Sequence, residues 1–247
     1  MVVMHYLASP DKGLDKLKHI ELTDFSTKFD HTNLKPTSGK NDISRLCKEA
    51  VEYGFAAVCV APRWVAYAAK RLSGKTANAV RICTVVGFPH GNTTTEDKKL
   101  EAVHAIENGA SEIDMVISIG DLRDGNKKIV EYDIATVVEA VHDRSGIVKV
   151  ILETAFLEDR EITLGCKLSV QAGADYVKTS TGFGPKGADA RIVRLMRQTV
   201  GDAVGVKAAG GIRTLADVRS MLDAGASRIG CSSSPEIVRE FIETLPR

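Results

Sequence analysis

From Phe29 to the C-terminal end, short runs dominated by Val, Ile and Ala alternate with longer segments whose apolar residues recur every three or four positions. The short runs predict strands at Phe25–Asp30, Ala56–Val60, Val80–Val86, Glu112–Ile117, Val148–Leu152, Asp175–Lys178, Val204–Lys207 and Arg228–Cys231. The longer segments predict helices over Asn41–Tyr53, Pro62–Leu72, Glu96–Asn108, Lys127–Asp143, Arg160–Ala172, Ala188–Val200, Leu215–Ala224 and Pro235–Thr244. Most of the strands are continuously apolar rather than alternating. That is the pattern of a parallel sheet covered on both faces.

The joints between elements repeat as well. Asn108-Gly109-Ala110, Ala172-Gly173-Ala174 and Ala224-Gly225-Ala226 each stand between a helix and the next strand, with Tyr53-Gly54-Phe55 as a looser copy. Glycine suits the left-handed C-cap that such a joint requires. Eight β/α units without a linker, in about 220 residues, predict a single (β/α)₈ barrel spanning residues 25–247. Residues 1–24 are then an N-terminal extension, with a short helix expected at Gly13–Ile20. A doubly wound sheet is the alternative, disfavoured by the number of strands and the lack of a cofactor turn after the first one.

Composition narrows the partners. The 33 basic and 32 acidic side chains nearly cancel, so there is no broad electrostatic footprint for nucleic acid or an anionic membrane. An anionic ligand has to be held locally. Five cysteines without C-x-x-C spacing fit neither a disulfide framework nor a zinc ribbon. With no signal-like start and no long apolar run, a cytoplasmic protein is expected.

In a barrel of this kind the chemistry lies at the C-terminal ends of the strands. Lys178 and Lys207 end the sixth and seventh predicted strands in equivalent places, each before a turn of small residues. A free lysine has a pKa near 10.4, so roughly one in two thousand is the neutral amine at pH 7. A second ammonium at about 4 Å, with an effective dielectric constant near 20, opposes protonation by about 4 kcal/mol, or about three pKa units. One lysine of such a pair is a candidate carbonyl nucleophile. The alternative is that both simply reach solvent. Asp114 interrupts the apolar strand Glu112-Ile113-Asp114-Met115-Val116 and needs a cation there, either as a proton relay or as one half of a structural ion pair. Asp30, Lys149 and Glu153 have weaker claims on the same pocket, and Lys149 and Glu153 have each other as potential partners.

Phosphate is the expected local anion. Gly210 and Gly211 follow strand seven; Ser232, Ser233 and Ser234 follow strand eight, before Pro235 opens a helix. Gly182-Phe183-Gly184-Pro185-Lys186-Gly187 satisfies G-x-G-x-x-G, but it lies in the sixth unit and no acid ends the following strand, so a dinucleotide is not expected. The six histidines are scattered, with no metal-binding pair. No metal and no organic cofactor are expected. Cys59 is a candidate pocket residue or a buried structural thiol.

These motifs together resemble the deoxyribose-phosphate aldolase family of class I aldolases. The likeness runs from Asp30-His31-Thr32-Asn33-Leu34-Lys35-Pro36 through Val58-Cys59-Val60, Val85-Val86-Gly87-Phe88-Pro89, Glu112-Ile113-Asp114-Met115-Val116 and Val148-Lys149-Val150-Ile151-Leu152-Glu153-Thr154. It continues through Val177-Lys178-Thr179-Ser180-Thr181-Gly182-Phe183-Gly184 and Val206-Lys207-Ala208-Ala209-Gly210-Gly211-Ile212-Arg213 to Ser232-Ser233, covering about four fifths of the chain. The resemblance implies reversible cleavage of 2-deoxy-D-ribose 5-phosphate to acetaldehyde and D-glyceraldehyde 3-phosphate, in deoxyribonucleotide catabolism. It implies Lys178 as the Schiff-base residue, with Lys207 and Asp114 moving protons. Gly182, Gly210, Gly211, Ser232 and Ser233 would hold the phosphate, while Asp30, Thr32, Cys59 and Lys149 would line the sugar pocket. A homodimer is the implied assembly. Two departures stand out. Ser118 occupies a place where related sequences often carry Asn, and the chain stops at Pro246-Arg247 without the tyrosine-ended tail that some members use in proton transfer. Bound water and Asp114 are expected to serve instead, or the reaction to be slower. The rival readings are another phosphate-handling barrel enzyme, transaldolase-like or an isomerase, and a catalytically silent barrel that serves as a binding module.

Overall fold

Eight short parallel strands, each hydrogen-bonded to the next in sequence order and the last to the first, close a barrel in the computed structural model, which describes residues 22–74 and 80–245. The strands are β1 (Phe29–Asn33), β2 (Ala57–Val60), β3 (Arg81–Val86), β4 (Glu112–Val116), β5 (Ile147–Ile151), β6 (Tyr176–Lys178), β7 (Gly205–Ala209) and β8 (Arg228–Cys231). Pairing of Phe29 with Ile229 and of His31 with Cys231 completes the ring. The main helices are α1 (Lys40–Tyr53), α2 (Val65–Leu72), α3 (Thr95–Glu107), α4 (Ile119–Arg123), α5 (Lys127–His142), α6 (Asp159–Gln171), α7 (Ala190–Val200), α8 (Leu215–Asp223) and α9 (Ser234–Thr244). The fold is the (β/α)₈ barrel that the alternation predicts.

The strand period of two sorts side chains to opposite walls. Phe29, Val58, Ile82, Ile113, Val148, Val177, Val206 and Ile229 belong to the large apolar cluster shared with the helices. Their sequence neighbours belong to the inside of the barrel, where the separate apolar cluster is small: Ala57, Cys59, Cys83 and Val85, with Leu34 and Phe88 packed against it. Much of the remaining interior is charged. Asp30, Glu112, Asp114, Lys149, Lys178, Lys207 and Arg228 are all buried. Branched apolar layers usually fill such a barrel; here the apolar material stabilises the shell and the interior is left for chemistry.

Glycines make the close packing possible at particular places. A Cβ on Gly230 would stand 3.0 Å from Cε of Lys207, and one on Gly205 would stand 2.2 Å from the Tyr176 ring. At the joints, Gly109, Gly173 and Gly225 adopt φ of 104°, 83° and 104°. The following amide reaches back in each case, Ala110 to Ala105, Ala174 to Ser169 and Ala226 to Met221, which closes the helix end as predicted.

Several boundaries differ from expectation. Residues 22–26 are helical, so β1 begins at Phe29 rather than Phe25. Phe25 and Phe29, four residues apart, belong to different elements and meet edge-on at 5.2 Å, with Phe241 of α9 stacked on Phe25 at 4.1 Å. Pro62–Trp64 forms a 3₁₀ turn before α2 begins at Val65. The short α4 is too brief to leave a periodic signal. Ser118 stands just before it without a side-chain bond to the helix amides, and its hydroxyl donates to Asp121 at 2.5 Å. The expected helix at Gly13–Ile20 lies outside the described residues. No helix among the described residues is long and apolar enough to cross a membrane.

Candidate active site

Lys178 and Lys207 are direct register partners across β6 and β7. Their ammonium groups meet at one atom. Nζ of each lies 2.7 Å from Oδ2 of Asp114, so the two nitrogens are no further apart than twice that distance. An anion bridges the two cations, which are not left facing each other as the bare estimate from the sequence assumes.

Behind this pair lies a layer that spans the barrel. Asp114 also accepts from Lys149 through Oδ1 at 2.8 Å, and from the Cys83 thiol at 3.1 Å. Lys207 donates to Asp30, whose other oxygen takes Arg228 at 2.8 Å. Lys149 reaches Glu112 at 2.6 Å and Asp30 at 3.5 Å, while Glu112 takes Arg81 at 3.0 Å. Burial pushes the Asp114 carboxyl up, but Lys149, Lys178 and Lys207 outweigh it and hold the group well below the usual carboxylate range. Asp30 is likewise held low against burial by Lys207, Lys149 and Arg228. For Lys149 and Lys207 burial favours losing the proton, yet the carboxylates, Asp114 foremost, raise both above the ordinary lysine value. Both remain ammonium ions at neutral pH.

Above this layer opens a cavity of about 520 Å³ lined by residues from several strand ends. Lys178, Thr32, Gly182, Gly210, Gly211 and Ser232 all line it. Gly182, Gly210 and Gly211 adopt φ of 88°, 87° and 77°, and a Cβ on Gly210 would stand 3.5 Å from Cα of Gly182. The loops after β6 and β7 therefore meet glycine to glycine and form one wall.

Other expected pocket residues lie elsewhere. Asp30, Cys59 and Lys149 are fully buried below the cavity and do not line it, because Asp30 and Lys149 belong to the ionic layer and Cys59 to the small interior cluster. Asp114 and Lys207 do not line the cavity, but Asp114 is in contact with Lys178, which does. Ser233 is the residue before α9, with no side-chain cap bond; its carbonyl accepts from the Ile237 amide at 3.1 Å. Lys149 and Glu153 are not partners: the Glu153 carboxylate instead takes the amide of Thr181 at 3.1 Å and its hydroxyl.

Glu112, Cys83 and Arg228 escaped the sequence reading. Glu112 was the legible one, since two residues before Asp114 it must face the same side of β4. Cys59, Cys83 and Asp114, and also Asp30, Cys83 and Glu112, are close enough to share a metal ion. The Lys149 ammonium already stands among these donors, 3.3 Å from Cys83 and 2.8 Å from Asp114. Lys149 also reaches Glu112 at 2.6 Å, so its ammonium contacts members of both sets.

The match with known proteins covers this same architecture. The profile of the DeoC/LacD family aldolases matches residues 25–233. The chain belongs to the DeoC/LacD aldolase family. Among curated relatives, a deoxyribose-phosphate aldolase from Thermococcus gammatolerans is 53% identical over 215 residues, covering 87% of this chain and 95% of the relative. One from Bacillus mycoides is 53% identical over 210 residues, covering 85% and 92%. The solved tetrameric deoxyribose phosphate aldolase from Aeropyrum pernix superposes with a TM-score of 0.83 at 30% identity, covering 96% of this chain and all of that one. DeoC/LacD membership places the two lysine motifs in a family of aldolases, and the rival of a silent binding barrel loses its ground.

Proposed function

We propose that this protein is a deoxyribose-phosphate aldolase that works through an imine on Lys178. One observation carries the reading: Lys178 lines the cavity while its nitrogen shares a carboxylate oxygen with the Lys207 ammonium group. In the neutral form that attack requires, Lys178 leaves Asp114 still paired with Lys149 and Lys207, and Asp30 with Lys207 and Arg228, below the cavity.

The Lys178 nitrogen adds to the C1 aldehyde of the open-chain sugar, and loss of water gives the iminium. Removal of the C3 hydroxyl proton then breaks the C2–C3 bond, with the electron pair moving into the iminium to form an enamine. D-Glyceraldehyde 3-phosphate leaves. Protonation at C2 and addition of water release acetaldehyde and restore the amine. In this scheme Asp114 receives the proton and Lys207 supplies it back, the two groups already sharing a hydrogen bond. The phosphate lies against Gly182, Gly210, Gly211 and Ser232, whose turns present backbone amides without requiring net charge. Thr32 faces the sugar.

Borohydride reduction in the presence of acetaldehyde is expected to leave an ethyl group on Lys178, located by peptide mapping. A fully active preparation that acquires no adduct would remove the imine from the mechanism. A transaldolase-like rival is separated by the substrate: cleavage of 2-deoxyribose 5-phosphate in preference to longer ketose phosphates supports the present reading.

A homodimer in the cytoplasm belongs to the same proposal. The five cysteines are buried thiols and not disulfides, as suits a reducing compartment. Leu100 on α3 and Ile129 and Tyr132 on α5 each expose half or more of their surface, and the two helices are adjacent. Sedimentation equilibrium is expected to return twice the 26.6 kDa chain mass, and a value of one or four times that mass refutes the dimer.

A further inference from the structure

Glu153 does something that neither its sequence position nor the imine mechanism requires. It stands two residues after the end of β5 with φ 53° and ψ 62°, a left-handed conformation that favours glycine and is uncommon for a long side chain. Its carboxylate is buried, with the residue 1% exposed, and it accepts from both the backbone amide and the hydroxyl of Thr181. The Thr181 oxygen in turn accepts from the amide of Phe183 at 3.0 Å. One carboxylate therefore ties down Thr181, Gly182 and Phe183, three consecutive residues that line the cavity. The backbone joins in, as Thr154 donates to the carbonyl of Thr179 at 3.0 Å. The loop then folds over the same group: a Cβ on Gly184 would stand 2.9 Å from Oε1 of Glu153.

A strained residue at the rim of a site is sustained by its surroundings, and here those surroundings are the loop itself. We propose that Glu153 is a positioning residue that holds the loop after β6 against the Gly210 turn, and so sets the width of the phosphate end of the cavity. The inference rests on the aldolase reading above. It assigns Glu153 to binding of the phosphorylated end of the substrate and not to the imine, since its carboxylate has no contact with Lys178, Lys207 or Asp114.

Two substitutions separate the carboxylate from the turn. Glu153→Gly accepts the left-handed backbone without strain but releases Thr181. Glu153→Gln keeps a carbonyl oxygen for the Thr181 amide at nearly the same shape. For Glu153→Gly, KM for 2-deoxyribose 5-phosphate is expected to rise tenfold or more. Its kcat/KM for unphosphorylated 2-deoxyribose and its rate of acetaldehyde trapping at Lys178 are expected to stay within twofold of the parent. Glu153→Gln is expected to recover most of the KM. An unchanged KM in the glycine variant overturns the proposal, because the turn alone would then suffice. Equal losses on both sugars overturn it too, because the role would then be general support of the barrel. If Glu153→Gly does not fold, Glu153→Asn, which also tolerates the left-handed backbone but is too short to reach Thr181, decides alone: a KM at least fivefold the parent's with trapping unchanged supports the assignment, and a smaller rise or equal effects on both sugars refute it. Failure of trapping in the parent protein would instead refute the imine on Lys178, leaving a distinct result.

Discussion

Lys178→Met is expected to lower kcat for aldol cleavage by at least about a thousandfold, equivalent to roughly 4 kcal/mol of transition-state stabilisation, while the barrel stays folded. Methionine has a similar reach, and residue 178 is 3% exposed, so the apolar side chain takes the place of the aliphatic stem without opening a void. The ion-pair layer survives the change. Asp114 keeps Lys149 at 2.8 Å and Lys207 at 2.7 Å, and no buried carboxylate loses its last cation. Circular dichroism melting should therefore shift by only a few degrees. Borohydride trapping should fall to background, because Lys207 remains engaged by Asp30 and Asp114 and stands outside the cavity lining. Cleavage retained at more than a few per cent in this variant would remove Lys178 as nucleophile.

The lysine pair was legible because equivalence along a chain becomes adjacency in a parallel sheet: two residues at the ends of consecutive strands have to be neighbours when the strands pair in register. The eight-unit alternation was legible for a similar local reason, each strand being apolar on the face that the helices cover. The ionic layer was not. Asp30 and Lys207 are 177 residues apart and meet across the barrel, so their contact depends on closure and strand stagger, which leave no trace in local periodicity. The resemblance assigns Lys149 and Cys59 to the sugar pocket, with a buried structural thiol as the alternative for Cys59. Both lie on strands that contribute to the site, but one pleat too deep. Glu153 was hidden differently, since a left-handed backbone at a glutamate is not encoded by any turn residue and becomes visible only as a dihedral angle.

Asp114→Asn tests whether that layer is held together by one carboxylate. The amide keeps the shape but leaves Lys149, Lys178 and Lys207 without their common anion. Removing one partner from a buried ionic cluster costs about 3–5 kcal/mol. For a chain of this size that corresponds to a fall in Tm of roughly 6–20 °C. Aldol cleavage should drop as well, by about 10²–10⁴ if Asp114 moves the proton. The pH dependence supplies an independent check. Asp30 and Asp114 both have native pKa values below the ordinary 3.8. A carboxyl depressed in the folded state stabilises the protein above its unfolded pKa, and that contribution disappears as pH falls through the folded value. The parent should therefore stay folded through the range near pH 4 where ordinary carboxylates titrate, and yield only in stronger acid. In the variant the Asp114 share is missing at every pH, so the smaller remaining stability is exhausted sooner and the acid midpoint moves up. Raising the pH should narrow the gap between the two proteins, since Lys149 and Lys207, deprived of an anion, can shed protons that the parent retains. A variant with parental Tm and an unmoved acid midpoint would show that Asp30 and Glu112 suffice to hold the cations, and Asp114 would then be left with the proton alone.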